Sequence, residues 1–254
     1  MGHSDMNVTA VVLTLNEEDN IEACLASLAW ADHRVIVDSF SNDCTVELAR
    51  RAGAEVFQHP FQNYAEQHNV ALERVSADWI LFVDADERAT PDLATEVRTV
   101  TDGSRPEAAW AVPRHNYIFG RLTRGGGWYP DYQTRLLRRG RVRWERPVHE
   151  IAVVDGAIGY LKSPLIHNNY SNPADFHARQ KRYNAYDAEI LYNEGARPRR
   201  VTPYLQALRH FWWRLITLKG YRDGLHGLRL CTLMGYYEMR KYQRVAELIE
   251  GRSI

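Results

Sequence analysis

The sequence predicts an α/β fold: a Rossmann-like, mostly parallel sheet flanked by helices, with a helical C-terminal extension. Three observations carry that reading. Apolar, β-branched runs of strand length alternate with helical segments through the first hundred residues, the pattern of a parallel sheet covered on both faces. The alternation stops near residue 105, where glycine-, arginine- and aromatic-rich segments begin. From residue 171 onward the apolar residues fall at helical spacing.

"VTAVVLTL" (8–15) is the first strand, followed by the polar "NEEDN". "IEACLASLAW" then places Ile21, Cys24, Leu25 and Leu28 on one helical face. "RVIVDS" (34–39) is the second strand, and "CTVELARRAG" is a helix stopped by Gly53. "AEVFQH" is a third strand, "NYAEQHNVALERV" a helix and "WILFVDAD" the fourth strand. "TPDLATEV" opens a helix whose Pro91 and Asp92 suit its N-terminus. Beyond residue 105, "AAWAVPRHNYIFG" contains a strand and "RLTRGGGWYPD" is a loop. "YQTRLLRRGRVRWERPVHEIAVV" reads as a hairpin turning at "RRGR". Helical spacing returns with Phe176, Gln180, Tyr183, Asp187 and Ile190, and again with Leu205, Leu208, Trp212, Leu215 and Ile216. A last helix, weakened near Gly224 and Gly227, ends the chain. The expected division is 1–170 as one α/β domain, split at 105 where the alternation stops, and 171–254 as a helical region.

The 254 residues hold 32 Lys+Arg and 32 Asp+Glu, so net charge selects no partner and no nucleic acid is expected. The distribution is uneven: eleven Lys/Arg face two acids between Arg197 and Arg244, and nine Arg face two acids between Arg114 and Arg146. Cys24, Cys44 and Cys231 are too few and too scattered for a disulfide framework or a cysteine zinc site. With no stretch near the roughly 18 apolar residues of a spanning helix, the expected location is the cytoplasm. The basic, tryptophan-containing helices (Arg209, Trp212, Trp213, Arg214, Lys219) admit two readings: peripheral contact with the inner face of the cell membrane, or ordinary packing with a charged outer side.

In parallel sheets ligands bind at the carboxyl ends of strands. Those ends carry Asn16, Glu17 and Glu18, then Asp38, then Asp84 and Asp86. Acids gathered at one edge call for a cation or for hydrogen-bond donors. A D-x-D at a strand end suits Mg²⁺ or Mn²⁺, which prefer oxygen ligands and share them with substrate phosphates. No P-loop and no G-x-G-x-x-G after the first strand is present, which disfavours a kinase or a dinucleotide-dependent dehydrogenase.

"LTLNEEDNIEACLASL", "VIVDSFSNDCTVELARRAGAEV" and "DWILFVDADERATPDL" resemble the family 2 glycosyltransferases, and "GGWYPDYQTRLLRRGRVRWERPVHE" with "LIHNNYSNPADFHARQKRYNAYDA" resembles their lipopolysaccharide-core glucosyltransferase branch. The resemblance implies a GT-A fold and inverting, metal-dependent transfer from a nucleoside diphosphate sugar, a UDP-sugar being the expected donor, to a glycan or lipid-linked acceptor. It implies that Leu15, Asn16, Glu17, Asp38, Gln67, Asn69, Asp84 and Ala85 surround the nucleotide sugar, and that Asp86 holds Mg²⁺ or Mn²⁺. Three positions depart from the family pattern: Phe40 stands where glycine is usual, Asn42 where threonine is common, and His68 near where a lysine or arginine is common.

Inversion requires a base for the acceptor hydroxyl, and a carboxylate is the usual choice. Glu150 is favoured over Asp131, its rival being an ion pair with a nearby arginine. His149 is read as orienting the acceptor side. His167 is either a second metal ligand or a structural histidine. Trp128 and Tyr129, beside three glycines, are either a mobile sugar platform or a core anchor; Arg135, expected on the acceptor side, with Arg138 and Arg139 either meets phosphates or is a solvated hairpin residue. Two other readings stand beside the transferase: a sugar-1-phosphate nucleotidyltransferase, which needs a glycine- and basic-rich loop where "NEEDN" stands, and a catalytically silent nucleotide-sugar-binding module.

Overall fold

β1 (Val8–Thr14) is buried on both faces except at Leu13, as a central parallel strand must be. The computed structural model that shows this describes residues 7–102, 105–146 and 151–251. β1 is followed by α1 (Ile21–Ser27), β2 (His33–Asp38), α2 (Thr45–Arg51), β3 (Glu55–Gln58), α3 (Tyr64–Arg74) and β4 (Trp79–Asp84). All four strands are parallel, in the order β3-β2-β1-β4, as the alternation predicts. After β4 come β5 (Glu87–Ala89), α4 (Pro91–Thr101), β6 (Glu107–Ile118), β7 (Arg121–Leu122), β8 (Tyr132–Arg138), β9 (Val142–Glu145), β10 (Ile151–Val154), β11 (Ala157–Tyr160) and β12 (Leu165–Tyr170). The sheet continues β4-β8-β6-β12-β5, with β8 antiparallel to both β4 and β6.

The helix starts follow from their caps. Asn63 accepts from the Glu66 N–H ahead of α3, and Thr90 from that of Leu93 ahead of α4. Each cap satisfies an N–H that the helix cannot. Two apolar layers sandwich the sheet: Ile21, Leu25, Trp79, Leu81 and Val97 on one side, Val35, Ala71, Ile80 and Phe82 on the other.

The predicted hairpin is corrected. A turn does form at Arg138–Arg141, but β8 and β9 do not pair. β8 enters the large sheet between β4 and β6, while β9 forms a separate antiparallel ribbon with β10. A local turn signal fixes a reversal of the chain and not the partner of the strand that leaves it.

The chain forms two compact units, 1–114 with 132–167, and 115–131 with 168–254. The second contains α5 (Pro173–Asn193), α6 (Thr202–Trp212), a π-turn at Trp213–Thr217, a 3₁₀ turn at Gly220–Asp223 and α7 (Gly224–Ile249). Its core holds Ile118, Tyr170, Phe176, Leu230 and Tyr237. A Cβ on Gly227 would lie 1.9 Å from the Gly220 carbonyl oxygen. Glycine at 227 therefore allows the 3₁₀ turn to sit on α7, rather than marking a weak place in the helix.

Candidate active site

The carboxyl ends of three strands lie level. Thr14 is the register partner of Asp38 and Leu13 that of Asp84, so the acids ending β2 and β4 flank the end of β1. Asp84, half exposed, is gripped through both oxygens by Arg135: Nη1 donates to Oδ1 at 3.0 Å and Nη2 to Oδ2. Glu87, fully buried, accepts from the Asp84 N–H at 2.9 Å through Oε2. Its Oε1 lies 3.4 Å from Arg135 Nη2 and 3.3 Å from Arg114 Nη1. Two carboxylates and two guanidinium groups thus form one compensated cluster, as charges taken from water require. Burial works against ionisation of Asp84, but Arg135 outweighs it and holds the carboxyl down to about 2. In Glu87 burial prevails and pushes the pKa up.

Asp86 follows two residues after Asp84. β12 pairs with β5 so that His167 stands opposite Glu87, and this brings His167 Nε2 to 3.4 Å from Asp86 Oδ2, both side chains largely buried. The two residues expected to share a metal are therefore together. Among the described residues no three His, Cys, Asp or Glu side chains form a metal-holding group. One carboxylate and one imidazole fit a hard divalent cation that completes its shell with substrate phosphates and water. Cys24 Sγ approaches the Asp84 carbonyl oxygen at 3.6 Å; burial pushes its thiol up to about 12, which removes it as a nucleophile.

The predicted nucleotide residues divide between exposed and internally engaged. Leu15 is half exposed, Asn16 is exposed and Glu17 partly so. Asn16 and Ser41 tie the first two loops together, Asn16 N–H donating to Ser41 Oγ and Asn42 N–H to Asn16 Oδ1. Asp38 is fully buried and accepts from Thr14, Ser41 and Gln58, so its carboxylate organises the loop from within. Phe40 sits at φ +61° with half its surface exposed. A side chain in that left-handed region costs about 1–2 kcal/mol, which gives the physical reason for a glycine there. Gln67 is buried and donates to Ser39 Oγ. Asn69 both donates to and accepts from the Trp144 backbone at 2.9 and 2.8 Å, fastening β9 to α3. Ala85 is buried in the turn between the two aspartates.

His68 is buried, stacked on Trp144 at 4.1 Å, and its Nδ1–H donates to the Tyr64 carbonyl at 2.7 Å. It is thus held as a packed neutral ring. Burial depresses its pKa from 6.5 to about 4, against the pull of that hydrogen bond. Between pH 6.5 and 4 the unfolded chain takes up a proton that the folded chain refuses, so stability falls as pH falls, by up to about 3 kcal/mol. His115, His210 and His226 are lowered by burial too, and their contributions cancel when wild type is compared with His68→Phe. The variant's urea midpoint is expected to change less across this window; equal slopes would show that His68 does not titrate as a buried neutral group.

In the second unit Asn116 Nδ2 donates to both Asp131 Oδ2 and the Trp128 carbonyl, each at 2.9 Å. Trp128 packs edge-on against Tyr170, with the Arg214 guanidinium over its ring. Gly125 and Gly126 pack against Lys219 and Gly220, and Asp223 accepts from the Arg124 and Gly125 N–H groups. These contacts fasten the loop, and Trp128 packs partly buried against the core of this unit, while Tyr129 is exposed. Arg135, expected at the acceptor, is instead buried against Asp84 and Glu87. His149 and Glu150 lie outside the described residues. Sequence reading missed Glu87 and Arg114. The available signal was a third acid directly after the D-x-D, too close to solvate freely if β4 is buried.

The sequence model described as Glycosyl transferase family 2 matches residues 9–163, more than half of the chain. The chain is 29% identical over 248 residues to the lipopolysaccharide core biosynthesis glycosyltransferase LpsC of Rhizobium meliloti, covering 91% of this chain and 86% of that one. Among solved structures, the mannosyltransferase PcManGT of Pyrobaculum calidifontis, in complex with GDP-Man and Mn²⁺, superposes with a TM-score of 0.57 at 17% identity, covering 95% of this chain and 87% of its own. The glucosyl-3-phosphoglycerate synthase of Mycobacterium tuberculosis with Mn²⁺ and UDP gives 0.51 at 20% identity, over 76% and 81%. At these identities the structural likenesses establish the fold, and that fold is GT-A.

Proposed function

The chain belongs to glycosyl transferase family 2, and from that premise we propose that it moves a sugar, with inversion, from a nucleoside diphosphate sugar to a hydroxyl of a glycan or lipid-linked acceptor. A UDP-sugar is the proposed donor, and lipopolysaccharide-core assembly the proposed setting, on the likeness to LpsC over most of both chains. The observation that carries the reading is the juxtaposition of Asp86 and His167 at 3.4 Å beside the clamped Asp84. Neither a nucleotidyltransferase nor a silent binder is what the family match favours.

In this reading Asp86 and His167 would hold Mg²⁺ or Mn²⁺, which when bound would supply Lewis acidity to the departing diphosphate. Leu15, Asn16 and Glu17 border the nucleoside, with Asp38, Gln67 and Asn69 shaping the loops around it, while Asp84 and Ala85 fix the turn that presents Asp86. The nucleotide-sugar half is assigned to 1–105 and the acceptor half to 106–170, with the helical region 171–254 following; His149 and the exposed Tyr129 are placed on the acceptor side. Three scattered free cysteines suit a reducing cytoplasm.

The test is a thermal-shift screen of UDP, GDP, dTDP, CMP and their sugar conjugates, with and without Mn²⁺. A nucleotide at about one hundred times its dissociation constant should stabilise the protein by roughly 2.7 kcal/mol. A shift with one nucleotide that grows with Mn²⁺ is expected; no shift with any of them would count against the donor site. For the base, Glu150 is the proposed acceptor of the hydroxyl proton, with Asp131 second. Glu150→Gln should cost roughly 10²–10⁴-fold in turnover. Wild-type turnover in Glu150→Gln together with loss in Asp131→Asn would move the role to Asp131.

A further inference from the structure

Helix spacing in α6 sets Leu205, Leu208, Trp212 and Ile216 in one stripe, the arrangement expected of a core-facing side. The structure turns that stripe outward. Together with Tyr204 and Trp213 these residues keep between 46% and 62% of their surface exposed. The opposite side of α6 is already used: a Cβ on Gly235 of α7 would meet the Ala207 carbonyl oxygen at 3.1 Å and Phe211 Cβ at 3.4 Å, and Arg214 reaches inward to the Gly126 carbonyl. α6 is therefore apolar on both sides, with one of them uncovered among the described residues. Just beyond it, Tyr221 and Leu225 are 55% and 84% exposed.

The charge along this stretch of chain is mostly positive, with Glu194 before it, Asp223 after it and Glu238 of α7 beside His210. From Arg197 to Arg222 there are seven Lys/Arg and no Asp or Glu. Arg214 is turned inward; the other six are Arg197, Arg199, Arg200, Arg209, Lys219 and Arg222, and none is in an ion pair among the described residues. We propose that the outward face of α6, extended by Tyr221 and Leu225, is a docking surface that lies on an anionic lipid bilayer, its leucines and tryptophans entering the boundary between headgroups and chains and its cations meeting the headgroups. Exposed apolar side chains beside a cationic rim are what such a surface requires, and tryptophan and tyrosine prefer that depth. Among the described residues no helix is long and apolar enough to cross a membrane, so α6 lies on the surface and does not span. A second copy of the chain fits less well, because a two-fold contact sets each patch against itself and would bring like charges together. The surface stands on this unit alone and does not depend on the identity of the donor sugar.

Flotation of the full chain with vesicles tests it. Wild type should float with phosphatidylglycerol–phosphatidylcholine vesicles at low salt, lose binding as salt rises, and remain unbound with phosphatidylcholine alone. Leu208→Glu/Trp212→Glu, at two exposed positions, should reduce the bound fraction at least tenfold with an unchanged circular dichroism spectrum. Arg209→Glu/Arg222→Glu should do the same through charge, and keeps the test decisive if the first variant misfolds. Failure of wild type to float at low salt would overturn the proposal. So would equal binding by Leu208→Glu/Trp212→Glu, which would mean attraction by charge alone. A wild-type dimer that this variant dissolves, without vesicle binding, would assign the face to a second copy.

Discussion

Replacing Arg135 with methionine is expected to destabilise the protein by about 3–5 kcal/mol at neutral pH, the effect of removing one partner from a buried ion cluster. Methionine fills much of the space, so the loss arises from charge and not from a cavity. Arg135 holds both oxygens of Asp84 and lies against Glu87, and without it Arg114 alone faces two carboxylates. The pH dependence separates this account from a packing defect. Glu87 has its pKa raised by burial, so its contribution is favourable at low pH and is lost as pH rises through the folded value. Asp84, at about 2 in the folded protein, contributes stability above its ordinary carboxylate range and loses it as pH falls through that value. In Arg135→Met the first effect grows and the second disappears, so the deficit relative to wild type should shrink from pH 7 to pH 4. Urea midpoints measured over that range decide the matter. A deficit under 1 kcal/mol, or one that does not change with pH, would mean that the cluster is not compensated as described. Glu87→Gln added to Arg135→Met should recover part of the loss, since the two sites share a partner.

That cluster also marks the limit of what the sequence discloses. The four parallel strands and the acids at their ends are legible because they rest on local quantities: runs of β-branched residues, helical spacing, caps such as Thr90-Pro91, and a rule about strand ends. Glu87 is not legible in the same way. In the string it is one more polar residue in a turn, and it becomes a buried carboxylate only because β12, eighty positions downstream, pairs with β5. Arg135 reads as a residue of the acceptor side until β8 is known to lie between β4 and β6. The missing hairpin and the outward stripe of α6 belong to the same class. In each case the element is where its periodicity puts it, while its neighbour is chosen by contacts distant in sequence. The asparagines show the complementary case: Asn69 has the residue type of a ligand contact, yet its amide is fully engaged with the Trp144 backbone.

Asp86 is where the local and distant information meet, and its replacement carries the largest expected effect on activity. Asp86→Ala should lower kcat/KM for transfer by roughly a thousandfold, about 4 kcal/mol of transition-state stabilisation. The fold should survive, because the paired hydrogen bonds of Arg135 go to Asp84 and not to Asp86. His167→Ala should cost less, since Asp86 still supplies the anionic oxygen ligand that a hard divalent cation prefers. Binding distinguishes this from indirect damage. In Asp86→Ala the stabilisation by nucleotide that depends on Mn²⁺ should vanish, while any shift produced by nucleotide alone should persist through Asn16, Glu17 and the loop behind them. Retention of a wild-type, Mn²⁺-dependent rate in Asp86→Ala would remove Asp86 from the metal site. Loss of nucleotide binding even without Mn²⁺ would place it among the residues that shape the donor pocket. Asp84→Ala gives the contrast: its carboxylate is held through both oxygens by Arg135, so the change should appear both as lost stability and as lost activity, whereas Asp86→Ala should register mainly in activity.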